Sequence, residues 1–181
     1  MDFLWFFVKC SWWILPAAAA NTAPLLAKNS FKFLAKPVDF NLSLLGRSVL
    51  GKNKTWRGLI TGTVAGMLIF SLQQWLYQFS IFEKISLIDY YKVSFFYGFL
   101  LAFGSLLGDL TKSFLKRRVG IPPGKTWFPF DEIDWTIGAL ILSTVMLPLP
   151  WLVWLIIIIS GMAMHLFGNF AAITLGIKDS Y

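Results

Sequence analysis

Five apolar stretches separated by polar connections constrain the fold of this chain more than any other feature. They cover approximately residues 3–20, 58–77, 93–112, 135–148 and 151–175. A helix of about 20 apolar residues is long enough to cross the hydrocarbon core of a bilayer. Charged residues make up 14% of the chain, well below the roughly one quarter typical of soluble domains. The sequence therefore predicts an all-α integral membrane protein, a single domain built as a bundle of about five transmembrane helices.

The basic residues lie mainly in two of the connections between these stretches. Of the sixteen Lys and Arg residues, seven fall in residues 25–57 and five in residues 112–134. Such an excess marks the cytoplasmic side of membrane proteins. We therefore expect 25–57 and 113–134 to be cytoplasmic loops, with the N-terminus outside and the C-terminus inside. This distribution also accounts for the net charge of +7, so no nucleic-acid partner is expected.

The first apolar stretch is irregular. Asp2 precedes it and Lys9 interrupts it, so it lacks the charge-first layout of a cleaved signal peptide, and we favour a retained helix. Farther along, Pro16 and Pro24 flank Asn21 at the expected membrane boundary. Two interpretations stay open there: non-helical backbone that forms a cavity wall, or a plain helix end with a turn. Asn21 is the candidate polar contact of this segment.

The first basic connection contains a partial phosphate-binding pattern. Residues 46–53 follow G-x-x-x-x-G-K-[ST] except at Asn53, which replaces the hydroxyl residue that would contact Mg²⁺. No strand is expected before it in a membrane bundle, so a true P-loop is not predicted. Lys54, Thr55 and Arg57 remain as candidate donors to phosphate oxygens. The alternative, contact of basic residues with anionic headgroups, explains the lysines but explains Thr55 less well.

Three aspartates, Asp109, Asp131 and Asp134, are the candidate metal ligands. If residues 104–118 are helical, the face that bears Asp109 also carries a hydroxyl and two cations at i+4, i+7 and i+8: Ser113, Lys116 and Arg117. Asp131 and Asp134 share a second face at i, i+3, and the loop between lets the two faces converge. Crowded carboxylates repel one another unless a hard cation lies between them, and Mg²⁺ at phosphates is typically held by one or two carboxylates.

This combination of acids and cations at the membrane surface indicates phosphoryl or nucleotidyl transfer between a phosphorylated soluble compound and a phosphorylated lipid. The basic connections contain no histidine or cysteine, so direct attack by the lipid phosphate is simpler than an enzyme-bound intermediate. The only histidine, His165, lies in the fifth apolar stretch. A hydrogen-bonded packing role is more common for such a residue than a ligand role.

The motifs resemble those of a known family. Gly108-Asp109-Leu-x-x-Ser-x-x-Lys-Arg117 with Asp131-x-x-Asp134 is similar to the signature of the CDP-diacylglycerol synthase superfamily of membrane cytidylyltransferases. Its archaeal-type branch, the CDP-archaeol synthases, is also similar at several shorter segments: Pro16 to Pro24, Lys54 to Gly58, Lys116 to Arg118, Pro123-Gly124, His165 to Asn169 and Gly176 to Asp179. The sequence departs from the family pattern at Leu45, where an aspartate is usual, and at Glu132-Ile133, where Gln-Leu is common.

The resemblance implies five transmembrane helices and a reaction of CTP with 2,3-bis-O-(geranylgeranyl)-sn-glycerol 1-phosphate, or a related lipid phosphate, that yields a CDP-activated lipid and diphosphate with Mg²⁺. On this basis Asp109, Asp131 and Asp134 are expected to bind the metal. Together with Lys116 they form the expected catalytic set. Substrate contacts are expected from the remaining polar candidates and Lys116: Asn21, Lys54, Thr55, Arg57, Ser113, Lys116 and Arg117.

Alternative functions remain open at this point. A phosphatidate cytidylyltransferase would use ester-linked acyl chains, which nothing in the apolar stretches distinguishes from isoprenoid chains. A CTP-dependent isoprenol kinase would release CDP instead of diphosphate. A transporter or non-catalytic scaffold would place its acids midway through the bilayer, whereas these acids lie at the ends of the predicted spans. A homodimer is also left open.

Overall fold

Helices carry most of residues 3–174, the part of the chain that this computed structural model describes. The long helices are α1 (Phe3–Leu26), α2 (Trp56–Leu76), α4 (Phe96–Arg118) and α6 (Trp151–Thr174), and the shorter ones are α3 (Ser80–Ile85) and α5 (Phe130–Ser143). Two 3-10 turns (Ala27–Asn29 and Lys32–Leu34) and a small hairpin of β1 (Ser43–Leu44) and β2 (Arg47–Ser48) lie between α1 and α2. The fold is therefore the predicted all-α bundle with a minimal β element added.

Four of the described helices are long and apolar enough to cross a membrane: α1 with its 3-10 extension, α2, α4 and α6. Helix α5 has 14 residues and is therefore about 21 Å long, which is short for a complete crossing. It begins at Phe130 and ends at Ser143, so it starts and ends earlier than the predicted fourth span, 135–148. The count of five spans stays a prediction.

Helix boundaries extend into the predicted loops. Helix α4 continues to Arg118, so the first six residues of the predicted loop 113–134 are helical. Helix α2 begins at Trp56 because the Thr55 hydroxyl accepts a hydrogen bond from the backbone N–H of Gly58 (3.2 Å) and caps the helix. The end of the predicted last span at Leu175 and the segment Gly176 to Asp179 lie outside the described residues.

Helix α1 is continuous through both of its prolines, so non-helical backbone and a plain helix end with a turn are both wrong for the Pro16 to Pro24 segment. The predicted cavity wall is present, since Asn21 and Pro24 line a cavity. Pro16 has no N–H to give to the carbonyl of Trp12 four residues earlier. The side-chain amide of Gln73 in α2 donates to that carbonyl instead (2.5 Å). A neighbouring helix thus satisfies the group that the proline leaves open, as membrane helices require.

Small residues set the distance between α2 and its neighbours. A Cβ atom built on Gly62 would lie 2.5 Å from the carbonyl oxygen of Ala20, and one built on Gly66 would lie 2.5 Å from the Cβ of Ala102. In the sequence, Gly58, Gly62 and Gly66 repeat every four residues on one face of this helix, a pattern that predicts close helix contact within lipid. The distances confirm that prediction. An aromatic core of buried side chains packs between the helices: Trp13, Phe70, Tyr90, Tyr97 and Trp135.

The connection from residue 27 to 55 is ordered by polar contacts. The buried carboxylate of Asp39 accepts hydrogen bonds from the backbone N–H groups of Leu50 (2.8 Å) and Asn41 (3.1 Å). The hairpin is fastened to the end of α4 by two arginines. Arg47 donates to the carbonyl of Arg118 (2.6 Å), and Arg118 donates to the carbonyls of Leu44 (2.7 Å) and Ser48 (2.8 Å). This connection therefore reaches the site as a defined structure.

Candidate active site

The close crossing of α4 and α5 brings the aspartates together. A Cβ on Gly108 would overlap the carbonyl oxygen of Asp134, and a Cβ on Gly138 would overlap the carbonyl oxygen of Gly104. The two backbones touch at these glycines, so Asp109, one residue after Gly108, lies beside the first turns of α5. Residues from two separate helices thereby face one another.

One ammonium group, that of Lys112, lies at the centre of this arrangement. Its Nζ is 2.7 Å from Oδ1 of Asp131, 3.0 Å from Oδ2 of Asp134 and 3.3 Å from Oδ1 of Asp109. The contact with Asp134 is an ion pair, and Oδ2 of Asp134 is a buried atom without a geometrically ideal hydrogen bond from any residue in 3–174. All three predicted metal ligands therefore surround a single positive charge.

Two further lysines neutralise the same carboxylates from the outside. Lys54, in the connection before α2, lies 2.5 Å from Oδ2 of Asp109. Lys116 lies 3.0 Å from both oxygens of Asp131 and donates to the carbonyl of Lys125 (2.5 Å). The three carboxylates are thus paired with three ammonium groups, and the cluster has no net charge.

Asp131 lies in the first turn of α5, before its apolar part. Burial raises the pKa of its carboxyl group, but hydrogen bonds from Lys112, from the backbone N–H of Trp127 and from Lys116 outweigh burial and lower the pKa to about 2. The carboxylate is therefore ionised throughout the neutral range. An ionised carboxylate is the form that binds a hard cation.

A cavity of about 180 Å³ beside the cluster is lined by six cationic side chains: Lys52, Lys54, Lys112, Lys116, Arg117 and Lys125. The hydroxyl of Ser113 and the backbone near Gly51, which has a φ of +108°, complete its wall. Arg117 is only 6% exposed, and its Nε and Nη1 have no hydrogen-bond partner among the described residues. A buried guanidinium with unused donors beside such a cavity is suited to polyanionic oxygens.

A second, smaller cavity of about 130 Å³ lies on the other side of Lys54. Asn21, Thr55 and Asp109 line it together with Lys54. Asn21 therefore lies at the site although its backbone is helical. The Thr55 hydroxyl caps α2, so the structure also gives this residue a role in folding.

An apolar groove of about 340 Å³ lies between α4 and α5 and extends along the two helices away from the cluster. Lys112 and Asp134 lie at its polar end. The rest of its wall is apolar and includes Leu107, Phe130 and Ile141, whose side chains are exposed on the bundle surface. The groove is therefore open towards the lipid at one end of the charged cluster.

Not every predicted site residue lies in this arrangement. The guanidinium of Arg57 donates to the carbonyl of Lys28 (2.6 Å) and braces the 3-10 turn after α1. Two residues outside the predicted set are prominent. Lys112 is one of them, and its position three residues after Asp109 on the same helical face was the signal for it. The other is Glu132, whose buried carboxylate contacts Nδ1 of His165 in α6.

This chain is similar to known proteins in sequence. The CarS-like family model, described as CDP-archaeol synthase, matches residues 3–181. A CDP-archaeol synthase of Methanocaldococcus jannaschii is 35% identical over 173 residues, which cover 93% of each chain. One of Pyrococcus furiosus is 39% identical over 134 residues, which cover 74% of this chain and 72% of that one.

A solved structure is similar as well. It is described as an intramembrane enzyme for archaeal membrane lipid biosynthesis, and it superposes with a TM-score of 0.67 at 29% identity, covering 88% of this chain and 89% of that chain. Sequence and fold thus agree over nearly the whole length. This chain belongs to the CDP-archaeol synthase family.

Proposed function

We propose that this chain is a membrane cytidylyltransferase that joins CTP to 2,3-bis-O-(geranylgeranyl)-sn-glycerol 1-phosphate and releases diphosphate. The observation that carries the proposal is one juxtaposition. A cavity lined by six cations, a cluster of three carboxylates and an apolar groove open to lipid all meet at Lys112. A triphosphate and a lipid phosphate need these three environments next to one another.

The carboxylate cluster has the ligand chemistry that a divalent cation prefers. Its oxygens come from two helices and already converge on one positive charge, and Oδ2 of Asp134 is buried without a hydrogen bond to any described residue. Asp109, Asp131 and Asp134 would hold Mg²⁺. When bound, the ion would neutralise charge on the phosphates.

The reaction requires little covalent chemistry from the protein side chains. An oxygen of the lipid phosphate attacks the α-phosphorus of CTP and forms a new P–O bond. The bond from the α-phosphorus to the oxygen that bridges it to the β-phosphorus breaks, and its electron pair leaves with diphosphate. Positioning and charge neutralisation supply most of the acceleration in such transfers.

The residues of the basic cavity supply that neutralisation. Lys116 and Arg117 lie along one wall and are positioned to bind the β- and γ-phosphates as they separate from the α-phosphorus. Lys54 faces them from the connection before α2, and the Ser113 hydroxyl is a further hydrogen-bond donor. Ion pairs hold Lys54 and Lys116 in place before substrate arrives, so these two side chains need little reorganisation during the reaction.

The lipid enters from the side. The apolar groove between α4 and α5 would take an isoprenoid chain, with the phosphate at the polar end beside Lys112. Asn21, in the small cavity on the other side of Lys54, would contact the glycerol backbone or a phosphate oxygen. The excess of Lys and Arg in the connections supports a site at the cytoplasmic face, where CTP is available.

The decisive experiment supplies purified protein with radiolabelled CTP and a panel of lipid phosphates, with and without Mg²⁺. We expect diphosphate release and a CDP-lipid product with the geranylgeranyl ether substrate, dependent on the metal. Release of CDP would identify a kinase. Faster turnover of phosphatidate than of the ether lipid would identify an acyl-lipid enzyme.

A further inference from the structure

We propose that Lys112 is an internal counter-ion. Its ammonium group occupies the position between the three aspartates that the metal would take, and metal binding therefore depends on the arrival of CTP. The inference rests on the proposed function, because it takes the three aspartates to be the metal ligands. It assigns to this lysine a role distinct from that of the other cations of the basic cavity.

The contacts of Lys112 distinguish it from the other lysines. Lys54 contacts one of the three carboxylates and Lys116 contacts one, whereas the Nζ of Lys112 lies within 3.3 Å of an oxygen from each of them. Its side chain is only 14% exposed. A divalent cation shared by the same oxygens requires the space that this ammonium fills.

Charge balance explains why the metal would replace the Lys112 ammonium only when a triphosphate binds with it. Three carboxylates face three ammonium groups, so the cluster is neutral before any substrate binds. Addition of a divalent cation alone would leave two uncompensated positive charges in a largely buried site, which is unfavourable. A triphosphate that arrives with the metal brings enough negative charge to bind both the metal and the displaced ammonium.

The ammonium group of Lys112 can also move from the carboxylates into the basic cavity. Its side chain lines the basic cavity as well as the polar end of the apolar groove, so a rotation about its own side-chain bonds is enough to turn the ammonium from the carboxylates towards the phosphates. Lysine suits this exchange because its charge is carried on a flexible four-carbon stem. One residue would then neutralise the acids before binding and contact phosphate after it.

The test measures bound Mn²⁺ by the electron paramagnetic resonance signal of the free ion, using detergent-purified full-length protein and no lipid phosphate, so that no turnover occurs. For the wild type we expect weak binding without CTP and at least about tenfold tighter binding with it, beyond that of CTP alone. For Lys112→Met we expect tight binding without nucleotide. Lys112→Arg keeps the charge and should retain dependence on CTP.

The matched control is Lys28→Met. Lys28 is exposed, lies outside the basic cavity, and forms no ion pair with a carboxylate within residues 3–174. It should leave nucleotide-free Mn²⁺ binding within about twofold of wild type, since a distant exposed charge is screened. Equal gains in Lys28→Met and Lys112→Met would overturn the inference, as would tight binding of Mn²⁺ to the wild type without CTP.

Two outcomes separate this inference from the proposed function. If the wild type binds no Mn²⁺ beyond that held by CTP itself, the metal assignment of the aspartates is wrong. If the wild type binds the metal with CTP and Lys112→Met gains nothing without it, only the role of Lys112 is wrong. A Lys112→Met protein that folds with Mn²⁺ and unfolds on chelation supports the inference, whereas one that is unfolded in both conditions counts against it.

Discussion

The carboxylate of Glu132 contacts Nδ1 of His165, which ties the first turn of α5 to α6. Glu132 lies directly after Asp131 and is almost completely buried. The contact confirms the sequence-based expectation that His165 is a hydrogen-bonded packing residue. It also fixes the helical turn that presents both Asp131 and Asp134 to the cluster.

Replacement of His165 by alanine should therefore lower stability and activity together. Loss of one partner of a buried carboxylate costs about 1–3 kcal/mol. We expect Glu132→Gln, which can still hydrogen-bond to the imidazole, to cost less. Thermal unfolding of the purified variants in detergent measures the difference. A His165→Ala protein as stable as the wild type would show that this contact does not fix α5.

Substitution of the cluster aspartates should abolish turnover without loss of the folded protein. Asp109→Asn and Asp131→Asn each remove a negative charge and keep the side-chain volume. We expect the turnover number to fall by about a thousandfold or more in each, because charge stabilisation dominates this type of transfer. Production of CDP-lipid and the yield of membrane-inserted protein are the two measurements. A fully active Asp131→Asn enzyme would remove this residue from the metal site.

The crossing of α4 and α5 can be tested at Gly108. Alanine there would overlap the carbonyl oxygen of Asp134 and push the helices apart. We expect a destabilisation of about 1–3 kcal/mol from overpacking and a marked loss of activity as the carboxylates separate. Gly168→Ala in α6 is the control, since a Cβ there meets nothing within 4 Å. It should be neutral or up to about 1 kcal/mol stabilising. Similar losses from both changes would contradict the packing account.

Two lysines on the same membrane face should differ greatly in importance. Lys116 is buried and paired with Asp131, whereas Lys28 is exposed at the 3-10 turn after α1. We expect Lys116→Ala to lower kcat/KM by about a hundredfold or more, and Lys28→Ala to change it by no more than about threefold. Steady-state kinetics with both substrates make the comparison. Equal effects would favour the alternative in which all the basic residues contact lipid headgroups.

Arg118 should control the order of the hairpin. Its guanidinium bonds the carbonyls of Leu44 and Ser48, and Arg118→Ala removes both contacts. We expect faster proteolysis within residues 43–48 and a raised KM for CTP, because the same connection carries Lys52 and Lys54 to the basic cavity. Lys32→Ala, an exposed basic residue in this connection, should leave the cleavage rate unchanged. Unaltered proteolysis in Arg118→Ala would show that the hairpin is held by other contacts.

The sequence predicted those parts of the fold and site that depend on local pattern. Apolar runs located the long helices, and glycines spaced four residues apart located the contact of α2 with α1 and α4. Helical spacing placed Asp109, Ser113, Lys116 and Arg117 on one face. The convergence of Asp109 with Asp131 and Asp134 was predicted from the loop that joins their two faces, and a cation between them was predicted because crowded carboxylates repel one another. In the structure the ammonium of Lys112 lies between the three carboxylates.

The parts that sequence pattern missed depend on contacts between distant segments. The continuity of α1 through Pro16 requires the amide of Gln73, which is 57 residues away in the chain. A count of basic residues does not show that Lys112 reaches three carboxylates while Arg57 turns to the carbonyl of Lys28. The pairing of Glu132 with His165 likewise depends on how α5 and α6 pack.

The hydrogen bond between the side chain of Gln73 and the carbonyl of Trp12 has a consequence for membrane insertion. When α1 first enters the bilayer, that carbonyl lacks its usual helical partner, and Gln73 has not yet entered the membrane beside it. The first segment should therefore remain near the insertion machinery, or in a partly wetted position, until α2 emerges beside it. Biogenesis would then proceed by insertion of the two helices as a pair, and a truncated chain that stops before Gln73 should integrate poorly.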